Sequence, residues 1–216
     1  MSNSLVEVLL VARVIANRAK DEGALFEKKY PRATCDHLGA VIADSILQAG
    51  LNYMTVVRPR IFAIIENYPS VDTVSSLIDL IETSQVGIFL KWSHFEKIKR
   101  FEALVVFLQE RGVEDVQDLR LALNSIEFCK DIQTVNGVGP KTVDYMACLV
   151  GIDSIAVDRH VRAFARAAGV ENDDYYFLRR AFCFAADLLS LPRREFDAWL
   201  WRRAATPFQE QLSLAV

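Results

Sequence analysis

The run Val135-Asn136-Gly137-Val138-Gly139-Pro140-Lys141-Thr142 decides how this chain reads, together with Ile155-Ala156-Val157-Asp158-Arg159-His160-Val161 downstream. Asp158 falls 17 positions after Lys141. Ahead of the first run, Ile126, Cys129 and Ile132 or Gln133 recur at helical spacing. Behind it, Val143, Met146, Ala147 and Val150 do the same, and Gly151 closes the run. The spacing predicts two short helices joined by a turn that holds Gly137 and Gly139. Glycine permits positive φ and a close approach of backbone to a ligand. Pro140 suits the first position of the second helix, where its missing N–H costs little. The free N–H groups at that helix start, with the positive end of the dipole, make a phosphate cradle.

On these two blocks, Val135 to Thr142 and Ala156 to Val161, the chain resembles the helix-hairpin-helix DNA glycosylases of the endonuclease III superfamily. The resemblance implies an all-α, two-lobed fold. Residues 36–151 would form a helical-barrel lobe ending in the hairpin, and residues 1–35 plus 152–216 a second lobe of N- and C-terminal helices. It implies Lys141 as nucleophile and Asp158 as its essential partner, approaching each other from either side of a DNA cleft. Gly137, Val138, Gly139 and Thr142 would grip backbone phosphate, with Arg159 as a further DNA contact. Gln48, in Leu47-Gln48-Ala49, matches the segment whose Gln enters the space left by an extruded base. The carbonyls of Val135 and Val138 would hold a monovalent cation. Pro140 removes an N–H that some relatives donate to phosphate.

Composition narrows the class. A chain of 216 residues with 52% hydrophobic and 25% charged residues describes a globular protein able to bury a sizeable core. It has no apolar run of membrane length and no leader-like start, so no membrane association is expected. The expected location is cytoplasmic and nucleoid-associated in a bacterium or archaeon, and nuclear in a eukaryote. Cys35, Cys129, Cys148 and Cys183 are scattered without a Cys-x-x-Cys pair, which points to reduced thiols. The tail after Trp201 has no cysteine, so the four-cysteine iron–sulfur cluster of many endonuclease III relatives is not expected, nor is any other cofactor. Net charge is −3. Residues 155–216 carry nine arginines against eight acidic groups, whereas residues 1–154 carry 16 basic against 20 acidic groups. Nonspecific DNA affinity should be modest and focused on a local site.

Elsewhere the chain reads as about ten short helices with no strand-like alternation. Leu5, Val8, Leu9, Ala12, Ile15 and Ala16 open with an amphipathic helix. A second, from Asp36, ends near Ala49-Gly50 and carries Gln48 at its end. Pro59 starts a third with Ile61, Phe62, Ile64 and Ile65 on its apolar face, and Asp72 or Thr73 caps a fourth. Phe95, Ile98, Phe101, Leu104, Val105 and Leu108 define a longer one, and Asp115 to Leu123 one more. Leu178, Phe182, Ala185 and Leu189 share a late face, and Trp199-Leu200-Trp201 packs in the closing helix. Lys28, Lys29 and Arg32 are candidate phosphate contacts, though a solvated charge run is the simpler reading. Arg202 and Arg203 read as surface charge, with phosphate contacts as the alternative, and Trp92 as core, with a base pocket as its alternative.

The chemistry suits these residue types. Breaking an N-glycosidic bond builds positive charge on the sugar, which a carboxylate such as Asp158 stabilises while it deprotonates the nucleophile. An amine then forms an imine with the opened sugar, and the strand breaks by β-elimination. Lysine is protonated at neutral pH, so its pKa must fall, and a helix N-terminus with partial desolvation pushes that way. The expected function is base-excision repair by a monomeric DNA glycosylase with abasic-site lyase activity. Its partner would be duplex DNA carrying a damaged, oxidised base or an abasic site, with the base extruded for reaction. A monofunctional glycosylase for alkylated or mismatched bases would use Asp158 with water and without Lys141. A non-catalytic helix-hairpin-helix DNA-binding module would lack the Asp158 block. Alternatively, Asp158 serves as the N-cap of the helix that follows it.

Overall fold

Most helices in this protein start where the sequence supplies a side-chain acceptor or a proline. In the computed structural model, which describes residues 4–25 and 33–213 with side chains to residue 204, Ser4 accepts the Glu7 N–H at 3.2 Å and opens α1 (Leu5–Asp21). Lys28, Lys29 and Arg32 lie outside the described residues. The chain is all-α among the described residues, with twelve α-helices and no strand. It divides into two units, one of Met1–Arg32 with Asp153–Val216 and one of Ala33–Ile152.

The continuous unit is built on α2 (Leu38–Leu47), capped by the His37 ring, whose Nδ1 accepts the Ala40 N–H at 3.1 Å. All ten residues of α2 are buried. A single turn of π-helix (Tyr53–Val57) leads into α3 (Arg58–Asn67), with Pro59 in its first turn. Thr73 and Ser76 form a capping box on α4 (Val74–Glu82). A four-residue α5 (Val86–Phe89) precedes α6 (Phe95–Glu110), and neither of them starts on such an acceptor or a proline. Asp115 caps α7 (Val116–Ala122), Ser125 caps α8 (Ile126–Asp131), and a 3-10 turn (Ile132–Thr134) leads to α9 (Pro140–Leu149). Helices α3, α4, α6 and α9 all pack on α2. Phe89, Phe101, Leu77 and Leu104 fill the space around it. Burial of such side chains contributes about 1.5–3 kcal/mol each.

The other unit joins the two ends of the chain. Asp158 caps α10 (Arg159–Ala167), Asp174 caps α11 (Tyr175–Leu188), and α12 (Arg193–Ser213) follows. Helix α1 lies along α11, and α12 packs on α10 and α11. Their core is aromatic: Phe196 stacks on Trp199 at 5.8 Å, and Phe164 meets both Trp199 and Phe182 edge-on. Leu178, Phe182 and Ala185 are buried in it, as the helical period predicts. Arg203 pairs with Glu22 and lies over the Phe164 ring. No helix among the described residues is long and apolar enough to cross a membrane.

Six apolar residues on faces that the period assigns inward are exposed instead: Leu5, Leu9, Phe62, Ile65, Phe95 and Ile126. Phe62 is 57% exposed under the Arg58 guanidinium, Phe95 is 61% exposed beside Lys99, and Ile126 is 76% exposed. In α3 only Ile64 is buried, with Ile61 packed partly against the core and Ile65 exposed. In α8 the inward residue is Phe128, its ring tilted against that of Phe107, so the buried stripe runs one step round from Ile126. In the short α3 and α8 the strip that touches the core is too narrow for every apolar residue, whereas Phe95 is the first residue of the longer α6 and lies ahead of its buried stretch. Phe101→Ala should therefore lower unfolding free energy by about 3–5 kcal/mol, whereas Phe62→Ala should cost less than about 1 kcal/mol. Equilibrium urea unfolding followed by circular dichroism measures both.

Candidate functional site

The hairpin ahead of Lys141 is shaped by its glycines. Gly137 has φ +85°, the left-handed region, and a Cβ there would lie 2.6 Å from Arg100 Cδ. The Arg100 side chain therefore lies flat against the turn, coming from α6. Gly139 is extended, with φ −100° and ψ −179°, and open space where its Cβ would be. It is the N-cap of α9: its carbonyl accepts the N–H groups of Thr142 at 2.9 Å and Val143 at 3.1 Å. Pro140 takes the first helical position, and Lys141 the second. The N–H groups of Gly137 and Gly139 take no acceptor among the described residues. Val138 is buried and its N–H closes the turn on Val135 O at 3.0 Å, so only its backbone faces outward chemistry. Thr142 is likewise buried. The Val135 carbonyl keeps one lone pair after that bond, and the Val138 carbonyl accepts none among the described residues, so both are oxygen donors of the kind a monovalent cation takes.

Lys141 reaches from α9 to the end of α2. Its Nζ donates to Gln48 Oε1 and lies 5.3 Å from the centre of the Tyr145 ring. Tyr145, four residues along α9, shares a face with Lys141 and donates its hydroxyl to Asp44 Oδ1 at 3.1 Å. Tyr53, from the π-helical turn, donates to Asp44 Oδ2 at 3.2 Å. Asp44 is 4% exposed, and two phenol donors offset part of the cost of burying a carboxyl group. Lys97 of α6 donates to Ile46 O at 2.6 Å and Ala49 O at 2.8 Å, on either side of Gln48. Burial pushes the Lys97 ammonium below the usual lysine pKa, and the charges of Arg100 and Lys141 add to the shift.

Asp158 and Arg159 belong to the other unit. There Ile155, Ala156 and Val157 form a buried extended run, with the Ala156 N–H held by Asp197 Oδ1 at 3.0 Å. The Asp158 N–H turns back to Ala156 O at 2.8 Å, which delivers its carboxyl group to the start of α10. Oδ1 accepts the N–H groups of His160 at 2.8 Å and Val161 at 3.0 Å, while Oδ2 is engaged by no group among the described residues. The cap reading of Asp158 therefore holds as geometry, and one carboxylate oxygen remains for chemistry. Arg159 is exposed, its Nε 3.3 Å from His160 Nε2.

The structure thus brings Lys141, Gln48 and the Gly137–Gly139 turn together within one unit. Five participants escaped the sequence reading: Asp44, Tyr53, Lys97, Arg100 and Tyr145. Tyr145 was available from the period of four on α9, and Asp44 as an acid inside the apolar run Leu38–Leu47. Lys97 and Arg100 carry no local signal, because their partners are about 50 and 37 positions away. Trp92 packs partly against the core, with the Arg60 guanidinium 5.1 Å from its ring centre. No disulfide joins any of the four cysteines, and burial is the largest of the effects that push the Cys35 thiol up. Among the described residues no group of three or more His, Cys, Asp or Glu side chains is placed to hold a metal ion.

The two glycines should differ sharply on substitution. Gly137→Ala, forced into the left-handed region against Arg100, should cost about 1–2 kcal/mol, and Gly139→Ala less than about 1 kcal/mol. Thermal denaturation of the two variants beside wild type checks the order. Neither the protein-family models nor the curated proteins compared with this chain give a match.

Proposed function

We propose that this protein is a DNA glycosylase with abasic-site lyase activity, of the helix-hairpin-helix kind its two sequence blocks resemble. In this reading the 33–152 unit is the helical-barrel lobe and the unit of chain ends is the second lobe. Support comes chiefly from one observation: Lys141 occupies the second position of α9, directly behind a Gly-x-Gly turn, with its amine against Gln48. A nucleophile there sits in the positive field of a helix start, where a free amine is favoured over an ammonium. The same turn leaves the Gly137 and Gly139 N–H groups open to a phosphate oxygen.

The proposed reaction assigns each of these residues a step. The target nucleotide is extruded from the duplex, and Gln48 moves off Lys141 to fill the gap beside the orphaned base. The C1′–N bond breaks, the base leaves with the bonding electrons and takes up a proton, and Asp158 Oδ2 stabilises the charge left on the sugar. The neutral amine of Lys141 attacks C1′ and loses its protons as the sugar ring opens, which leaves a C1′=N imine with O4′ as a hydroxyl. Loss of a C2′ proton then expels the 3′ phosphate and breaks the strand. Oxidised bases are the proposed substrate class, and the acidic balance of the chain suits a binder that relies on a local grip.

The cap and the chemistry of Asp158 separate cleanly by substitution. Asn caps a helix about as well as Asp, so Asp158→Asn should keep the thermal midpoint while base excision falls by about two to three orders of magnitude. Asp158→Ala should lose activity and about 1 kcal/mol of stability as well. Duplexes carrying an abasic site or one damaged base, incubated with borohydride, test the lyase. Wild type should give a trapped adduct and Lys141→Ala none. Excision by wild type without an adduct overturns the lyase step, and absence of both overturns the glycosylase reading.

A further inference from the structure

Lys97 joins the parts of this site from a third helix. Its two bonds to the carbonyls of Ile46 and Ala49 cap the end of α2 on either side of Gln48. Gln48 in turn receives the Lys141 amine. One turn of chain is thus held by two cationic side chains, at its backbone by Lys97 and at its side chain by Lys141. The short tether of carbonyls keeps the Lys97 charge at a fixed place beside the site.

We infer that Lys97 is a positioning residue for Lys141: it fixes the end of α2 that presents Gln48, and its fixed charge increases the share of Lys141 present as the free amine. This rests on the reading of Lys141 as the nucleophile. Repulsion between two cations is reciprocal, so the charge of Lys141 that disfavours protonation of Lys97 is matched by an equal effect in return. The same device, a second cation beside a reactive lysine, activates amine nucleophiles in general. The other charged and titratable groups near Lys141 stay in place when Lys97 is replaced. Arg100 on α6 is a further cation, lying against the Gly137 turn. Asp44 on α2, with Tyr53 and Tyr145 as its donors, acts against the Lys97 charge. Asp144 lies on α9 itself, and Asp131, ahead of the 3-10 turn, is paired with Arg111 at 2.6 Å.

The test uses the full chain, with Lys97→Gln, Lys97→Met and Lys97→Arg beside wild type. Two profiles are taken between about pH 6 and pH 10. One is borohydride trapping on a duplex with an abasic site. The other, without DNA, is the rate of reductive methylation of Lys141 by formaldehyde, read by peptide mass spectrometry. The neutral variants should move both profiles to higher pH, with about threefold less adduct and less labelling near neutrality and convergence at the alkaline end. Lys97→Arg should stay close to wild type. Gln keeps a donor and Met keeps the stem, so a variant that fails to fold leaves the other to decide. Profiles of the folded neutral variants that superimpose on wild type overturn the inference, even if their thermal midpoints fall. A wild type that traps no adduct overturns the lyase reading instead, and the labelling profile still decides whether Lys97 governs Lys141.

Discussion

A helix buried on every face has nowhere to hide its polar groups except in its neighbours. Helix α2 is such a helix, and the unit of residues 33–152 is arranged to satisfy it. Its start is capped by His37, whose ring is itself held by Tyr68 O at 2.8 Å. Inside the helix, the Ser45 hydroxyl turns back to Val41 O at 2.7 Å. The carboxyl group of Asp44 takes Tyr53 and Tyr145, and the carbonyls at its end take Lys97. An unpartnered buried polar group costs about 1–3 kcal/mol, so each of these contacts is a structural necessity before it is anything else. The candidate site is assembled from the side chains that meet those needs.

This economy explains why the site is both precise and hard to read from sequence. The blocks behind the proposed chemistry are local: a turn needs glycine, a helix start accepts proline, and an aspartate before a helix caps it. Gly137, Pro140, Lys141 and Asp158 were therefore legible, as were α1, α2, α6 and α11 from their apolar period. Lys97, Arg100 and Tyr53 were not, because what gives them meaning is a contact across the fold. The polar donors that α2 requires could have been anticipated in number from the buried acid at position 44, though not in identity.

The errors in the period reading have a related cause. Phe95 and Ile126 open their helices and Phe62 lies midway along α3, each outside the narrow edge that touches the core. An apolar residue outside that edge costs little when a cation covers its face, as Arg58 does for Phe62 and Lys99 for Phe95. The period finds a helix and its inner line, but not how wide that line is. The π-helical turn Tyr53–Val57 and the four-residue α5 were missed for a similar reason, since neither is long enough to show a repeat.

The unit formed by both chain ends has a consequence for how the protein comes into being. On the ribosome, residues 33–152 emerge as one uninterrupted stretch and hold every helix their core needs. Helix α1 emerges before all of them, yet the helix it lies along, α11, appears only after that whole stretch. Until then the inward line Val8, Ala12, Ile15 and Ala19 has no partner from its own core, and closing that gap spans the whole intervening unit. Synthesis therefore leaves one amphipathic segment waiting while its neighbour finishes, and that interval is when the nascent chain is most open to capture by a chaperone or by another copy of itself.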